Sequence, residues 1–295
     1  MMSDAQAQTA EAFGFKWHQR ESFESEASIR RVLAWLRERY GDVADAHWWS
    51  DYGPSPLLLD AGSGAAMSAL ALFSPVLDRV RYLGIDVSAA VDVAARRFAE
   101  RGLSAAFVQA DIVEAPLPRG SVDVIFSEGV LHHTDSTELA LLELAKLLRP
   151  GGRLLFYVYR RKGPIREFTD DHIRARLQDM EPAEAWAALR PLTKLGQALG
   201  ALDAEIDIPE DISLLGIPAG RTSVQRLVYW HVVKTYYDAE LDLEELNHIN
   251  YDWFAPANAH RQSPEQVREW CARAGLEIER DEVQEAGITI IARKR

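Results

Sequence analysis

Four stretches of this chain carry residues whose types and spacing suit a nucleotide-like ligand. The first is Asp60-Ala61-Gly62-Ser63-Gly64. Two glycines let the backbone turn sharply and come close to a ligand, and a helix starting just beyond offers free N–H groups. The second is Asp86, 22 positions after Gly64 (86 minus 64). A carboxylate there can accept hydrogen bonds from ribose hydroxyls, or it can cap the helix that begins near Ser88. The third is Asp111 with Ile112, where a strand-end aspartate can meet an adenine amino group; a plain turn aspartate has the same look. The fourth runs from Ser127-Glu128 to His132-His133. Histidine is the commonest general base, and a loop histidine bonded to backbone is the bland alternative.

The glycine loop alone suits NAD, FAD, S-adenosylmethionine (SAM) or a simple tight turn. A dinucleotide fingerprint wants a third small residue three positions after the second glycine, where helix and strand pack closely. Met67 stands there, which counts against a dinucleotide, as does the lack of a Tyr-x-x-x-Lys pair for hydride chemistry.

The elements that must hold these residues alternate. Leu57–Asp60, Val80–Ile85, Ala106–Gln109, Val122–Phe126 and Arg153–Tyr159 read as strands. Between them the pattern predicts helices over Ala65–Phe73, from Ser88 to Gly102, and from an Asp135 cap through Leu148. That rhythm implies a parallel, doubly wound α/β sheet, with ligands beyond the carboxyl ends of its strands. A helix over Glu26–Tyr40 precedes it, with Ile29, Leu33, Leu36 and Tyr40 on one apolar face. After Tyr159 the rhythm stops, and residues 161–250 read as helices and loops with no clear strand. It resumes at Ser263, which caps a helix with Pro264 first, Gln266 completing a capping box and Gly275 past its end. Leu276–Glu279 and Ile288–Ala292 then close the sheet. The expected divisions are an N-terminal helical segment 1–50, a core 51–160, a helical lid 161–250 placed to cover the crevice, and a C-terminal completion 251–295.

Composition narrows the partners. The chain has 295 residues, 47% hydrophobic, with a formal charge of −12. An acidic chain repels nucleic-acid phosphates unless it carries a basic patch, and the short Arg160-Arg161-Lys162 cluster sits beside acids, so no nucleic-acid partner is expected. No apolar run reaches a membrane-spanning length, and the first residues lack the features of a secretory signal. One cysteine, Cys271, leaves no disulfide framework or multi-thiolate zinc site. A cytoplasmic protein acting on a small molecule is the expectation. No metal site is expected either: His248 and Asp252 lack a third ligand, Asn247 and Asn250 suggest a loop there, and adjacent histidines such as His132 and His133 seldom face one ion.

Taken in order, LLLDAGSG (Leu57–Gly64), YLGID (Tyr82–Asp86), VQADI (Val108–Ile112), FSEGVLHH (Phe126–His133) and LLRPGGRLLF (Leu147–Phe156) resemble the class I SAM-dependent methyltransferases. The likeness covers roughly residues 57–160 and is similar to methyltransferase type 11 domains, the group that includes quinone-biosynthesis enzymes. A bacterial subgroup is nearer still, on Phe13, Gly14 and Trp17, on Val91–Ala94, and on the stretch Tyr251–Pro256 followed by His260-Arg261. Ser63 departs from a frequent cysteine but keeps a small side chain. The resemblance implies a Rossmann-like seven-stranded sheet with an N-terminal helical flap, Phe13 and Trp17 included, and a helical lid. It implies SAM as cofactor, with Asp60, Gly62 and Gly64 at the methionine portion, Asp86 at the ribose, and Asp111 with Ile112 at the adenine. Ser127 and Glu128 would face the methyl group and methionine amino group.

Methyl transfer from a sulfonium needs positioning and water exclusion more than proton chemistry, so His133 and His132 are candidate bases only for a protic oxygen or nitrogen acceptor. Tyr157, Tyr159, Trp253, Phe254 and His260 are candidate acceptor contacts. Trp230, His231, Tyr236 and Tyr237 fall on an expected helix whose aromatics suit core packing. Two other classes stay open: a SAM-binding scaffold without catalysis, and a nicotinamide-dependent oxidoreductase.

Overall fold

A computed structural model describes residues 2–295. In chain order its helices begin with α1 (Asp4–His18) and α2 (Glu26–Tyr40), followed by strand β1 (Leu57–Ala61) and α3 (Met67–Leu72). Then come β2 (Arg81–Asp86), α4 (Ala90–Glu100), β3 (Ala105–Gln109), β4 (Val122–Glu128), α5 (Thr137–Leu147) and β5 (Leu148–Tyr159). Next are α6 (Pro164–Leu177), α7 (Pro182–Ala201), β6 (Glu205–Ile208), β7 (Gly220–Ser223), α8 (Val224–His231) and α9 (Leu243–Phe254). The last are α10 (Pro264–Arg273), β8 (Leu276–Val283) and β9 (Gly287–Lys294).

These elements fold into two compact units. The first comprises the residues up to Gln6, Ile29–Arg160 and Asn258–Arg295; the second comprises Ala7–Ser28 and Arg161–Ala257. The N-terminal 50 residues are thus shared between the two.

The first unit holds a seven-stranded sheet in the order β3-β2-β1-β4-β5-β9-β8. It is mixed rather than wholly parallel, because β9 runs antiparallel to both β5 and β8. Its central strands are near-continuous apolar runs, as strands covered on both faces must be: Leu58, Leu59, Val124, Ile125, Leu154 and Leu155 are fully buried. The strand order reverses on either side of β1, so the loops after β1 and β4 open at the switch point where doubly wound sheets take ligands. α10 has the expected capping box, with the Ser263 side chain accepting from the Gln266 N–H and Gln266 returning the bond. α5 is capped by Ser136 instead of Asp135, whose carboxylate accepts from Ser3 Oγ and Asn258 Nδ2.

The second unit is helical apart from one antiparallel hairpin, β6–β7, which escapes the apolar pattern because each strand is only four residues long and largely exposed, and β7 is polar throughout. α9 is a full helix where Asn247 and Asn250 suggested a loop. Both asparagines are buried and satisfied by α7 and its neighbours: Thr193 Oγ1 donates to Asn247 Oδ1 (2.7 Å), and Asn250 Nδ2 donates to Thr193 Oγ1 (3.0 Å). α1 supplies aromatics to the same core. Trp17 packs edge-on to Phe23 and His248, and Phe15 packs on Trp186 and Tyr251. Phe13, under the Lys16 ammonium, and Trp17 therefore serve the interior of this unit rather than a separate flap. α8 ends at His231, and Tyr236 and Tyr237 follow in an irregular stretch. No described helix is long and apolar enough to cross a membrane.

Candidate functional site

The turn after β1 is held by the strand beside it. The Gly62 and Ser63 N–H groups both donate to the Ile85 carbonyl, at 2.7 and 3.0 Å. Gly62 lies at φ +87, and a Cβ built on it would stand 2.2 Å from Val130 Cγ1. Glycine is thus required twice, by the backbone and by the side chain that packs over it from the β4 loop. Gly62→Ala is expected to lower stability by about 2 kcal/mol or more, combining left-handed strain with overpacking. Adding Val130→Ala should return part of the packing loss and none of the backbone strain, because Val130 Cβ itself stands 2.7 Å from the built Cβ; chemical denaturation of the single and double variants will measure this.

Asp86, at the end of β2, clamps two elements. One carboxylate oxygen accepts from the Gly64 N–H at 2.8 Å; the other accepts from the Ser88 N–H at 2.8 Å and the Ser88 hydroxyl at 2.6 Å. The reading of Asp86 as a group that holds the start of α4 is met by the Ser88 bonds, and the same side chain also fixes the glycine loop. From α4 the buried Arg97 donates to the Ala65 carbonyl and steadies the far side of that loop. Asp111 closes a similar turn after β3, accepting from the Val113 N–H at 2.9 Å. Beside it Ile112 is buried.

Asp60 is buried at the end of β1, accepting from the Tyr82 hydroxyl at 2.5 Å. Burial pushes its carboxyl up to about 7; the Tyr82 bond opposes this, while the charges of Asp86 and Glu128 add to it. Three carboxylates thus feel one another around the glycine loop. Glu128, at the end of β4, forms an ion pair with Arg39 and accepts from the Tyr40 hydroxyl at 2.6 Å. The Arg39 guanidinium also lies 3.8 Å from the centre of the Tyr157 ring. Arg39 and Tyr40 escape a sequence reading because hydrophobic periodicity counts Tyr40 as core and Arg39 as solvated surface.

Ser127 is fully buried, and its hydroxyl donates to the Ala61 carbonyl at 2.8 Å. It ties β1 to β4, so only its backbone is left for a ligand. His132 and His133 are buried beside Tyr159, with ring centres 3.7 Å apart for His132 and 5.3 Å for His133. His133 Nδ1 meets the Asn258 carbonyl at 2.6 Å. A carbonyl only accepts, so Nδ1 carries the proton and the lone pair sits on Nε2. Tyr157, Tyr159, His132 and His133 are therefore brought together. His260 is exposed; its backbone N–H donates to the His132 carbonyl and its ring Nε2 meets the Thr134 carbonyl at 3.1 Å, bracing the histidine loop. Trp253 and Phe254 belong to the second unit.

Residues 59–156 match the methyltransferase-domain family. That match runs from β1 to β5 and takes in the glycine loop between them. Among sequence relatives, an uncharacterized methyltransferase of Bacillus subtilis, YcgJ, is 33% identical over 41% of this chain and 48% of its own length. The malonyl-[acyl-carrier protein] O-methyltransferase of Serratia marcescens is 28% identical over 63% of this chain and 64% of its own. The chain spans less than two thirds of the length of these relatives. Among solved structures, magnesium protoporphyrin IX methyltransferase from Synechocystis, with bound S-adenosylhomocysteine (SAH), has a TM-score of 0.51 at 14% identity, covering 99% of this chain and 100% of that one. At that identity the likeness speaks to the fold.

SAM is the cofactor of this methyltransferase domain, and the residues present fit it. A ligand bearing an ammonium and a sulfonium suits a loop ringed by Asp60, Asp86 and Glu128. In the loop itself the buried Ser63 hydroxyl has no protein partner, a polar atom that a ligand can satisfy.

Proposed function

We propose that this protein transfers a methyl group from SAM to a small-molecule acceptor at oxygen, nitrogen or carbon. The observation that carries the reading is the convergence of Asp60, Asp86 and Glu128 on one glycine loop at the switch point of the sheet. Bound SAM supplies an already activated methyl group for in-line displacement by the acceptor.

The chain's own residues then have distinct tasks. Asp86 accepts from the ribose hydroxyls while holding Gly64 in place. Asp111 and Ile112 take the adenine, by polar contact and by packing. Arg39 and Glu128, already paired, match the opposite charges of the methionine carboxylate and ammonium. His133, with its lone pair on Nε2, takes the proton of a protic acceptor; for a carbon acceptor that is already nucleophilic it has no such task. The second unit is inserted in the chain between β5 and α10, and we assign it the choice of acceptor.

Calorimetry with SAH tests the cofactor part. Saturable binding is expected, with an affinity in the roughly micromolar range usual for enzyme ligands. Glu128→Gln should weaken it by about tenfold, the cost of one charge-assisted hydrogen bond, and should also lower the melting temperature, because it leaves the largely buried Arg39 guanidinium without its counter-charge. Absence of binding by the pure, folded chain would refute the reading. Methyl transfer from labelled SAM to a panel of small phenols, amines and carboxylic acids then separates an enzyme from a scaffold that binds without turnover.

A further inference from the structure

The second unit buries an unusual concentration of positive charge around one indole. Four cationic groups lie within 6 Å of the centre of the Trp253 ring: Lys234 Nζ at 4.8 Å, the Arg166 and Arg174 guanidinium carbons at 5.2 Å each, and Lys162 Nζ at 5.7 Å. Arg166, Arg174, Lys234 and Trp253 are all more than nine-tenths buried. Lys162 also lies 5.9 Å from the Trp230 ring.

Most of these charges are answered from within the protein. Arg166 donates to Asp170 at 2.8 Å and to the Tyr229 carbonyl. Arg174 donates twice to the Trp253 carbonyl and pairs with Asp171 at 3.1 Å. Asp170 is further engaged by the Trp253 indole N–H at 2.7 Å, and Asp252 pairs with Lys16. Lys234 is the exception. It comes from the irregular stretch after α8, is 7% exposed, and makes no hydrogen bond or ion pair with a described residue. A buried ammonium without a partner costs several kcal/mol, so such a group either neutralises or is met by an anion.

We propose that Lys234, which with Lys162 lies within 6 Å of the Trp253 ring centre, forms with that indole a binding site in the second unit for a small organic anion, a carboxylate or phosphate monoester on an aromatic or unsaturated body. The cation supplies the charge-assisted bond, and the surrounding indoles supply a flat apolar wall. The groups acting on Lys234 are Asp252 and Asp170, which favour its charged form, and Arg166 and Arg174, which oppose it. Burial outweighs them all and brings the amine down to about 7. An anion arriving at pH 8 must therefore draw a proton onto Lys234, whereas at pH 6 the amine already carries it.

The test is calorimetry of the full-length protein with benzoate, phenyl phosphate and inorganic phosphate, each in two buffers of different ionisation enthalpy. Saturable binding of benzoate or phenyl phosphate is expected, with uptake approaching one proton per site at pH 8 and falling toward none at pH 6. The stronger of the two tells whether carboxylate or phosphate is preferred; inorganic phosphate, lacking the flat body, should bind more weakly. Lys234→Met should weaken binding at least about tenfold while keeping the melting temperature. Lys234→Arg should retain binding but lose the proton uptake, because arginine stays charged. The proposal fails if neither organic probe binds saturably, or if affinity and proton uptake are unchanged in Lys234→Met. SAH binding, measured separately, reports on the methyltransferase reading without reference to this site.

Discussion

Replacing Asp86 with alanine should reduce SAH affinity by at least about a hundredfold. Two hydrogen bonds that ribose hydroxyls donate to a carboxylate are worth about 3 kcal/mol or more. The geometry adds a second loss, because the same carboxylate holds the Gly64 N–H and both donors of Ser88. Without it three buried or half-buried donors lose their acceptor, and the glycine loop is no longer set for a ligand before one arrives. The variant should therefore also be less stable, by about 1–3 kcal/mol. Asp86→Asn keeps one acceptor oxygen and should fall between the two in both measurements. Calorimetry with SAH and a denaturant titration on the same samples separate the contributions. Binding at wild-type strength by Asp86→Ala would remove Asp86 from the site.

Asp60 gives the second large effect, and its sign depends on pH. Its carboxyl stands near 7 in the folded protein against 3.8 for the free group. The folded state therefore holds a proton that the unfolded chain has already released. The associated stability is complete below pH 3.8 and is lost as pH rises through 7. The difference corresponds to a contribution of order 4 kcal/mol, so Asp60→Asn should melt higher than the wild type at pH 8 and about the same at pH 4. Ligand binding should move the opposite way. A cationic ligand favours ionised Asp60, so SAM affinity should rise by up to about tenfold per pH unit between pH 5 and 7, then level off. In Asp60→Asn that rise should flatten, leaving affinity near wild type at pH 5.5 and well below it at pH 8. Parallel pH profiles for the two proteins would show that Asp60 does not sense the cofactor.

Much of this architecture is legible in the chain. The glycine loop, the aspartates that end strands and the capping box at Ser263 are each local signals, and the sheet follows from how they alternate. What escaped depends on context instead of pattern. In the β6–β7 hairpin the alternation of Ile206 and Ile208 spans only four residues and β7 is polar throughout, too little pattern to read. Asn247 and Asn250 look like loop formers until α7 supplies partners for their amides. Tyr40 reads as one more apolar residue on α2, although its hydroxyl is what reaches Glu128. His260 also braces the histidine loop, through its backbone N–H on the His132 carbonyl and its ring Nε2 on the Thr134 carbonyl, which no sequence pattern shows. Nothing in a sequence tells a solvated lysine from one enclosed near Trp253, as Lys234 is.

The reversed strand β9 bears on how the molecule is made. Its pairing with β5 completes the sheet, yet during vectorial synthesis β5 leaves the ribosome long before β9 does. The nascent first unit must keep one rim of β5, with its unpaired N–H and C=O groups, while all of Arg161–Ala257 is still being translated. An unpaired rim of that kind recruits other strands. The helical insertion forms a compact unit with Ala7–Ser28, a segment already synthesised, and is the part suited to fold during the wait. The nucleotide-binding fold, begun earlier, is then finished last.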